Sequence, residues 1–152
     1  DENKRAPMYW NKDGNAEGMC KGPADMDDFR MKFDSLEEQQ EDPDSIYNYV
    51  KQVIRVRNQN PVIARGTTAY LEQYSGEQCF ALTRSYEGSN LLLLGNTSAE
   101  AVSVDLTGLT VGGTTAEELV LLGELYTGEE TAERAGTVVT LPAYSILILG
   151  EE

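Results

Sequence analysis

The chain has 152 residues, of which 40% are apolar, and its 26 acidic against 12 basic residues give a net charge of −14. This length fits one domain, or one small domain with an extension. The negative charge argues against nucleic-acid ligands and anionic membrane surfaces, because both attract clustered Lys and Arg. The sequence contains no histidine, which excludes Ser-His-Asp and Cys-His catalysis and the usual Cys/His zinc sites within this chain.

Residues 1–43 are predicted to be irregular, because Gly, Pro and Asn recur among scattered apolar residues. A loop of this length is unusual in a compact domain and favours a functional loop that packs on another surface. Disorder is the weaker alternative, because disordered segments rarely contain Trp, Phe and several Met. Cys20 lies in this segment, far in sequence from Cys79. Two free thiols are favoured over one disulfide, and neither thiol fixes the redox compartment.

Residues 44–59 form the clearest predicted helix. Asp44 or Ser45 is the expected N-cap, and Pro61 follows the predicted end. The apolar residues recur at a spacing of three and four, which places them on one face: Ile46, Val50, Val53 and Ile54. This amphipathic helix requires a partner surface that covers its apolar face.

From Val62 onward the apolar residues alternate with a period of two, which is typical of strands. Turn signals rich in Gly, Ser and Pro separate seven short segments. The predicted strands lie at 68–74, 78–85, 90–97, 101–106, 118–127, 137–141 and 144–149. Short strands at this spacing predict an antiparallel β-sandwich.

Four segments of the chain resemble, in the same order, four segments of one enzyme family. KRAPMYWN (4–11) resembles an R-x-P-M-x-W loop near the end of that family's catalytic barrel, and residues 35–66 resemble its last barrel helix. NLLLLGNTSAEAVSVDL (90–106) is similar to the L-N-x-S strand pair of its C-terminal domain, and LPAYSILIL (141–149) to the closing strand. The family is the α-amylase superfamily, glycoside hydrolase family 13.

The resemblance implies a mainly β fold, in which an irregular segment and one helix precede the sandwich. Residues 1–61 would be the last loop and last helix of a (β/α)₈ barrel, and residues 62–152 an antiparallel Greek-key β-sandwich. A whole barrel takes about 250 residues. We therefore expect the family's catalytic carboxylates and its Asn-His-Asp motif to lie upstream, and Asp1 to lie within a longer polypeptide. No catalytic residue, metal or cofactor is expected in this chain; calcium would belong to the catalytic part.

Arg5 is the first candidate for substrate binding, because the matching arginine lines the family's substrate cleft. A guanidinium can donate several hydrogen bonds to sugar hydroxyls, although Arg5 could instead order its loop by pairing with an acidic neighbour. Trp10, together with Tyr9, is the second candidate, because an aromatic face suits the C–H side of a pyranose. The alternative, which we favour, packs Trp10 beneath the loop.

Other acidic residues are weaker candidates. Glycoside hydrolysis requires two carboxylates on opposite sides of a sugar, but the pairs Asp27/Asp28 and Glu37/Glu38 lie in solvated runs. The D-x-D pattern within residues 25–34 resembles a calcium loop only loosely, because the Gly and the terminal Glu are lacking.

Two functions are consistent with the sequence. In the first, the chain belongs to an α-glucan-cleaving glycoside hydrolase, stabilises its barrel, borders the substrate cleft and is inactive alone. Its partners would then be the barrel of the same protein and the α-glucan substrate, and the isolated chain could dimerise through the exposed helix face. In the second, the chain is a non-catalytic carbohydrate-binding module for starch-like glucans. The first is favoured, because binding modules rarely carry a barrel-like helix. Nucleic-acid and membrane partners are not expected. A secreted or cell-surface location is slightly favoured, on the ground of the family alone.

Overall fold

The computed structural model describes residues 2–13, 20, 22–25 and 33–151. The chain divides into two compact units, Asp1–Val50 and Lys51–Glu152, and the predicted domain boundary at residue 61 stays a prediction. Within the described residues the α-helices are α1 (Leu36–Glu41), α2 (Ile46–Gln59) and α3 (Pro61–Arg65), with 3-10 turns at Glu2–Arg5, Glu72–Tyr74 and Ala116–Glu118. None of these described helices has the length and apolarity needed to cross a membrane.

The described strands form three antiparallel sheets. Their bounds are β1 Thr67–Tyr70, β2 Cys79–Tyr86, β3 Ser89–Asn96, β4 Val102–Asp105, β5 Thr110–Val111, β6 Thr114–Thr115, β7 Val120–Leu125, β8 Glu133–Ala135, β9 Val138–Leu141 and β10 Ile146–Gly150. The larger sheets have the orders β1-β2-β3-β10-β7 and β4-β9-β8, and β5 pairs with β6. This mainly antiparallel β architecture, preceded by an irregular segment and a long helix, confirms the predicted fold class.

The main hydrophobic core lies between the two larger sheets. It combines alternate residues of β3 and β10 with residues of β4 and β9: Leu92, Leu94, Leu147, Leu149, Val104, Val139 and Leu141. The other face of β3 and β10 carries a second cluster of Leu91, Ile148 and Val62, on which Val56 and Ile63 pack. Because both faces of these central strands are covered, their sequences are nearly continuous apolar runs.

Two glycines allow bulky side chains to cross the sheet. A Cβ atom at Gly95 would lie 2.1 Å from Cε1 of Phe80, its cross-strand partner. A Cβ atom at Gly123 would lie 3.1 Å from Cγ1 of Val56, in the second half of α2. Glycine at these positions therefore lets Phe80 lie over β3 and lets α2 approach β7.

The predicted helix at 44–59 is confirmed as α2. Ser45 caps it, because its Oγ accepts a hydrogen bond from the Asn48 amide at 3.2 Å and its carbonyl accepts from the Tyr49 amide at 2.9 Å. Both cysteines are free thiols, with Cys20 exposed and Cys79 half-buried, as favoured by the sequence.

Three parts of the secondary-structure prediction were wrong. Residues 36–41 are helical rather than irregular, because Ser35 and Glu38 form a capping box. Residues 61–65 are helical, although the period of two is predicted to begin at Val62, because Pro61 occupies the first turn of α3, where its missing N–H has no cost. The predicted strand 68–74 ends at Tyr70 and continues as a 3-10 turn. The short strands β5, β6 and β8 were not predicted.

Candidate functional site

The segment that contains Arg5 and Trp10 is anchored to the start of α1. The carbonyls of Tyr9 and Trp10 accept hydrogen bonds from the amides of Leu36 and Glu37, at 2.9 and 3.0 Å. First-turn amides have no partner within a helix, so the segment satisfies two of them. The Tyr9 hydroxyl also donates to the Lys12 carbonyl at 2.8 Å. The backbone of this segment is thereby fixed, while the side chains of Met8 and Trp10 stay exposed.

The two predicted binding residues both have exposed side chains. Arg5 ends the 3-10 turn Glu2–Arg5, and Trp10 retains 45% of its accessible surface. Met8, between them, is 51% exposed, whereas Tyr9 is half-buried. Trp10 is therefore more exposed than expected from the favoured alternative, in which it packs beneath the loop. The exposed indole is available for stacking on a sugar.

Ser35 holds the start of α1 in place. It is fully buried, and its amide and Oγ donate to Oε2 of Glu38 at 3.0 and 2.6 Å. The Glu38 amide donates back to Ser35 Oγ at 3.4 Å. Glu38, one member of the acidic pair considered above, therefore acts as a helix cap rather than as a catalytic acid.

Asn48 closes the connection between α1 and α2. Its Nδ2 donates to the carbonyls of Gln39 and Asp42 at 2.9 and 2.8 Å. A cavity of about 470 Å³ lies beside this connection and is lined by Phe33, Asp34, Gln39, Asp42, Asp44, Ser45 and Ile46. Within the described residues, no group of three or more His, Cys, Asp or Glu side chains is arranged to hold a metal ion.

The carboxyl groups with shifted pKa values act as structural acceptors. A hydrogen bond from the Thr107 hydroxyl, with further bonds from its amide and from Thr137, holds the pKa of Asp105 below its usual value. Hydrogen bonds from the hydroxyl and amide of Thr115 lower the pKa of Glu118 in the same way. A general acid in glycoside hydrolysis needs a raised pKa, so neither carboxyl is suited to that role.

A second cavity, of about 340 Å³, has the same three threonines in its lining: Thr107, Thr115 and Thr137. Thr107 and Thr137 donate to Oδ1 of Asp105 at 2.7 and 3.0 Å, and Thr115 donates to Glu118 at 2.7 Å. The hydroxyl groups of these threonines therefore already donate to acceptors within the domain and not to a ligand in the cavity.

Asn96 is a buried polar residue whose role the sequence analysis missed. It is 3% exposed, and its Nδ2 donates to the carbonyls of Glu100, Leu141 and Pro142 at 2.7, 3.2 and 2.8 Å. Its Oδ1 accepts from the amide and hydroxyl of Ser98, both at 2.9 Å. The Asn-x-Ser spacing in GNTS is the signal that could have indicated this Asx-type turn.

Two weaker sequence candidates lie wholly or largely outside the described residues. The pair Asp27/Asp28 is outside them, and only the two ends of the loosely calcium-like segment 25–34 are described.

Comparison with solved structures gives strong similarity over nearly the whole chain. Amy13B of Eubacterium rectale is 38% identical with a TM-score of 0.88, covering 99% of this chain and 28% of that chain. An α-amylase from H. orenii is 21% identical with a TM-score of 0.65 (95% and 28% covered). The trehalulose synthase MutB is 23% identical with a TM-score of 0.69 (94% and 24% covered). Because these last two structures are less than 25% identical to the chain, their similarity shows a shared fold only.

The extent of these matches shows to which part of such an enzyme the chain corresponds. It spans about a quarter of each of them, and no family model matches it. The R-x-P-M-x-W segment, the long helix α2 and the following β domain occur in the order expected for the end of the catalytic barrel and the domain after it. The chain belongs to the α-amylase superfamily, glycoside hydrolase family 13, and corresponds to the C-terminal part of such an enzyme.

Proposed function

We propose that this chain serves an α-glucan-cleaving glycoside hydrolase that acts with retention at the anomeric carbon. The observation that carries the proposal is the 38% identity to Amy13B across 99% of the chain. The catalytic groups of the enzyme lie in the part of the polypeptide outside these 152 residues. The absence of histidine is consistent with this, because the family's Asn-His-Asp motif cannot lie here. The chain alone is expected to be inactive.

The role proposed for α2 is to stabilise the barrel. Three apolar residues at a spacing of four along this helix are exposed: Ile46 at 73%, Val50 at 46% and Ile54 at 52%. A surface helix normally buries such a stripe. The rest of the polypeptide is the partner we propose, since about three quarters of each matched enzyme lies outside the region that this chain covers. Covering the exposed parts of these side chains would contribute about 3 kcal/mol.

The role proposed for the segment around Arg5 and Trp10 is to border the substrate cleft. Both side chains are exposed on a backbone fixed to α1, which suits contact with a sugar. In the full-length enzyme, Arg5→Ala and Trp10→Ala should each lower kcat/KM by about tenfold, corresponding to loss of about 1.4 kcal/mol of transition-state binding. Lys12→Ala, an exposed neighbouring cation, is the matched control and should leave kcat/KM unchanged.

The experiment that tests the proposed activity uses two proteins: the full-length polypeptide that contains this chain, and the 152-residue chain alone. Each is incubated with amylose and with short malto-oligosaccharides, and the first product is followed by proton NMR. The full-length enzyme should release product in the α-anomeric form, and the chain alone should release none. Release of the β-anomer, or hydrolysis by the chain alone, would contradict the proposal.

The second candidate function remains a starch-binding module without catalysis. Tyr144, which is 52% exposed, favours it, because aromatic faces are the usual sugar platforms. A full-length protein that binds starch but hydrolyses no α-glucoside would support this function over the first.

If the chain occurs by itself, two copies should pair through the exposed face of α2. Sedimentation at increasing protein concentration would detect this dimer.

A further inference from the structure

Tyr144 has an unusual backbone conformation for its residue type. It lies between β9 and β10 with φ of +48°, in the left-handed region that favours glycine and asparagine over bulky residues. Glu87, the other non-glycine residue with positive φ in the described part of the chain, has a local explanation. It precedes Gly88 in the two-residue turn between β2 and β3, a turn type that requires positive φ at both positions. Tyr144 lies in the turn at residues 143–144, which joins strands of different sheets, and its bulky side chain is not one that favours positive φ.

Burial does not offset this conformational cost. The Tyr144 side chain retains 52% of its accessible surface, so the ring gains only part of the stabilisation that a core aromatic would gain. A glycine at this position would adopt the same backbone without strain. Stability alone therefore favours glycine here, and the exposed ring is better explained by contact with a molecule outside the domain.

The backbone around the ring is fixed from two sides. The Tyr144 amide donates to the Ser98 carbonyl at 3.1 Å. The next residue, Ser145, is fully buried, and its hydroxyl donates to the Pro142 carbonyl at 2.7 Å. Asn96 donates to the same Pro142 carbonyl and to the Glu100 carbonyl, so it joins residues 96–100 to residues 141–145. A ring held on a rigid backbone loses little conformational entropy when a ligand binds.

The surrounding groups indicate a neutral, hydroxyl-rich ligand. Neither 96–100 (NTSAE) nor 141–145 (LPAYS) contains Lys or Arg, and the whole chain carries a net charge of −14, which disfavours an anionic ligand. Ser98 is half-buried and Glu100 is exposed; their oxygen atoms can accept hydrogen bonds from hydroxyl groups. An exposed aromatic ring in a segment without cationic side chains matches the C–H face of a pyranose.

We propose that Tyr144 is the stacking platform of a surface site that binds a glucose unit of an α-glucan chain. The choice of an α-glucan, rather than another neutral glycan, rests on the proposed function. The site gives the β domain a role in holding polymeric substrate. Tyr144 supplies the ring on which the sugar stacks.

The test uses the full-length polypeptide and affinity electrophoresis in gels that contain amylopectin, with a soluble β-linked glucan as the comparison polymer. Tyr144→Ala should weaken amylopectin binding by about three- to tenfold, the range for loss of one aromatic stack. Tyr144→Phe should bind like the wild type, because it keeps the ring. Tyr70→Ala is the matched control, an exposed tyrosine on the regular strand β1, and should also bind like the wild type.

Tyr144→Gly separates binding from folding. This variant should lose binding as Tyr144→Ala does, while its Tm should equal or exceed that of the wild type, because glycine relieves the positive φ. If Tyr144→Ala, Tyr144→Gly and the wild type migrate alike in amylopectin, the proposal is overturned. It is also overturned if Tyr144→Phe binds as weakly as Tyr144→Ala, or if the wild type is retarded equally by the β-linked glucan and by amylopectin.

Failure of this proposal is distinguishable from failure of the proposed function. Hydrolysis of maltotriose by the wild type is measured in parallel and does not enter the binding comparison. Hydrolysis without Tyr144-dependent binding would retain the enzyme and remove the surface site. Tyr144-dependent binding without hydrolysis of any α-glucoside would retain the site and remove the enzymatic function.

Discussion

Asn96→Ala should be among the most destabilising polar substitutions in the β domain. The Asn96 side chain is buried and connects residues 96–100 to residues 141–145 through three donated hydrogen bonds. Alanine keeps the main-chain bond from residue 96 to the Ser145 carbonyl but removes every side-chain bond. The Leu141 carbonyl then loses a donor where water has little access, whereas the Glu100 carbonyl keeps the Ser98 hydroxyl as a partner.

The magnitude follows from the number and burial of these bonds. Each hydrogen bond contributes about 1 kcal/mol net. The two Nδ2 hydrogens are shared among three carbonyls, and with the bonds that Oδ1 accepts from Ser98 the loss amounts to about 3 kcal/mol. The Pro142 carbonyl keeps the Ser145 hydroxyl as a partner, which limits its share of the loss. Asn96→Asp should cost at least as much near neutral pH, because a carboxylate oxygen would face three carbonyl oxygens.

The assay is urea unfolding followed by far-UV circular dichroism, with free energies from linear extrapolation. Asn90→Ala is the matched control, since Asn90 is half-buried and makes two exposed bonds: its Nδ2 donates to the Gly88 carbonyl at 3.1 Å, and its Oδ1 accepts from the Ser85 hydroxyl at 2.7 Å. Asn90→Ala should cost about 1 kcal/mol or less. If Asn96→Ala costs no more than Asn90→Ala, the reasoning that Asn96 holds these two segments together is refuted.

Three further substitutions test other contacts. Gly95→Ala should cost about 1–3 kcal/mol of unfolding free energy, because its methyl group would meet the Phe80 ring, and adding Phe80→Leu should recover part of that loss. Ser35→Ala should lower the stability of the first unit by about 1 kcal/mol through loss of the α1 cap, measurable by the fluorescence of the sole tryptophan. Thr107→Val should lower Tm at pH 7 but much less at pH 3. The pKa of Asp105 is lower in the folded than in the unfolded chain, so this contribution exists above the unfolded value and is lost as the pH falls.

Each of these predictions has a contrary result. A Gly95→Ala protein as stable as the wild type would mean that β2 and β3 can separate enough to admit a methyl group. Unchanged fluorescence transitions in Ser35→Ala would mean that the capping box does not hold the first unit together. An equal Tm deficit of Thr107→Val at pH 7 and pH 3 would show that the hydroxyl acts without stabilising ionised Asp105.

The fold was largely predictable where the sequence pattern and the tertiary environment agree. The period of α2 and its Ser45 cap are local features, and the strands around residues 90–97 and 144–149 are long enough to show their apolar character. The prediction failed at short elements. α1 has six residues and no buried position, so its capping box was its only signal. The turn at Glu72–Tyr74 interrupts a segment whose alternating pattern alone is typical of a strand.

The candidate site was predictable only through the family resemblance. Nothing in composition or spacing marks Arg5, and the exposure of Trp10 depends on how its carbonyl and that of Tyr9 bond to α1. The buried role of Asn96 and the positive φ of Tyr144 depend on contacts between segments more than 40 residues apart. Such long-range contacts leave no periodic signal in the sequence.

The most direct test of the central claim, that this chain stabilises a larger enzyme through α2, is the effect of Val50→Lys with Ile54→Lys in two backgrounds. In the full-length polypeptide the pair should lower the unfolding free energy by about 2–4 kcal/mol, because two charges would enter an apolar contact. In the 152-residue chain, measured at a concentration at which it is monomeric, both side chains are exposed and the pair should cost nothing. Gln52→Lys, at an exposed position of the same helix, is the control and should be neutral in both. Equal stability of the full-length polypeptide with and without the lysine pair would contradict the account.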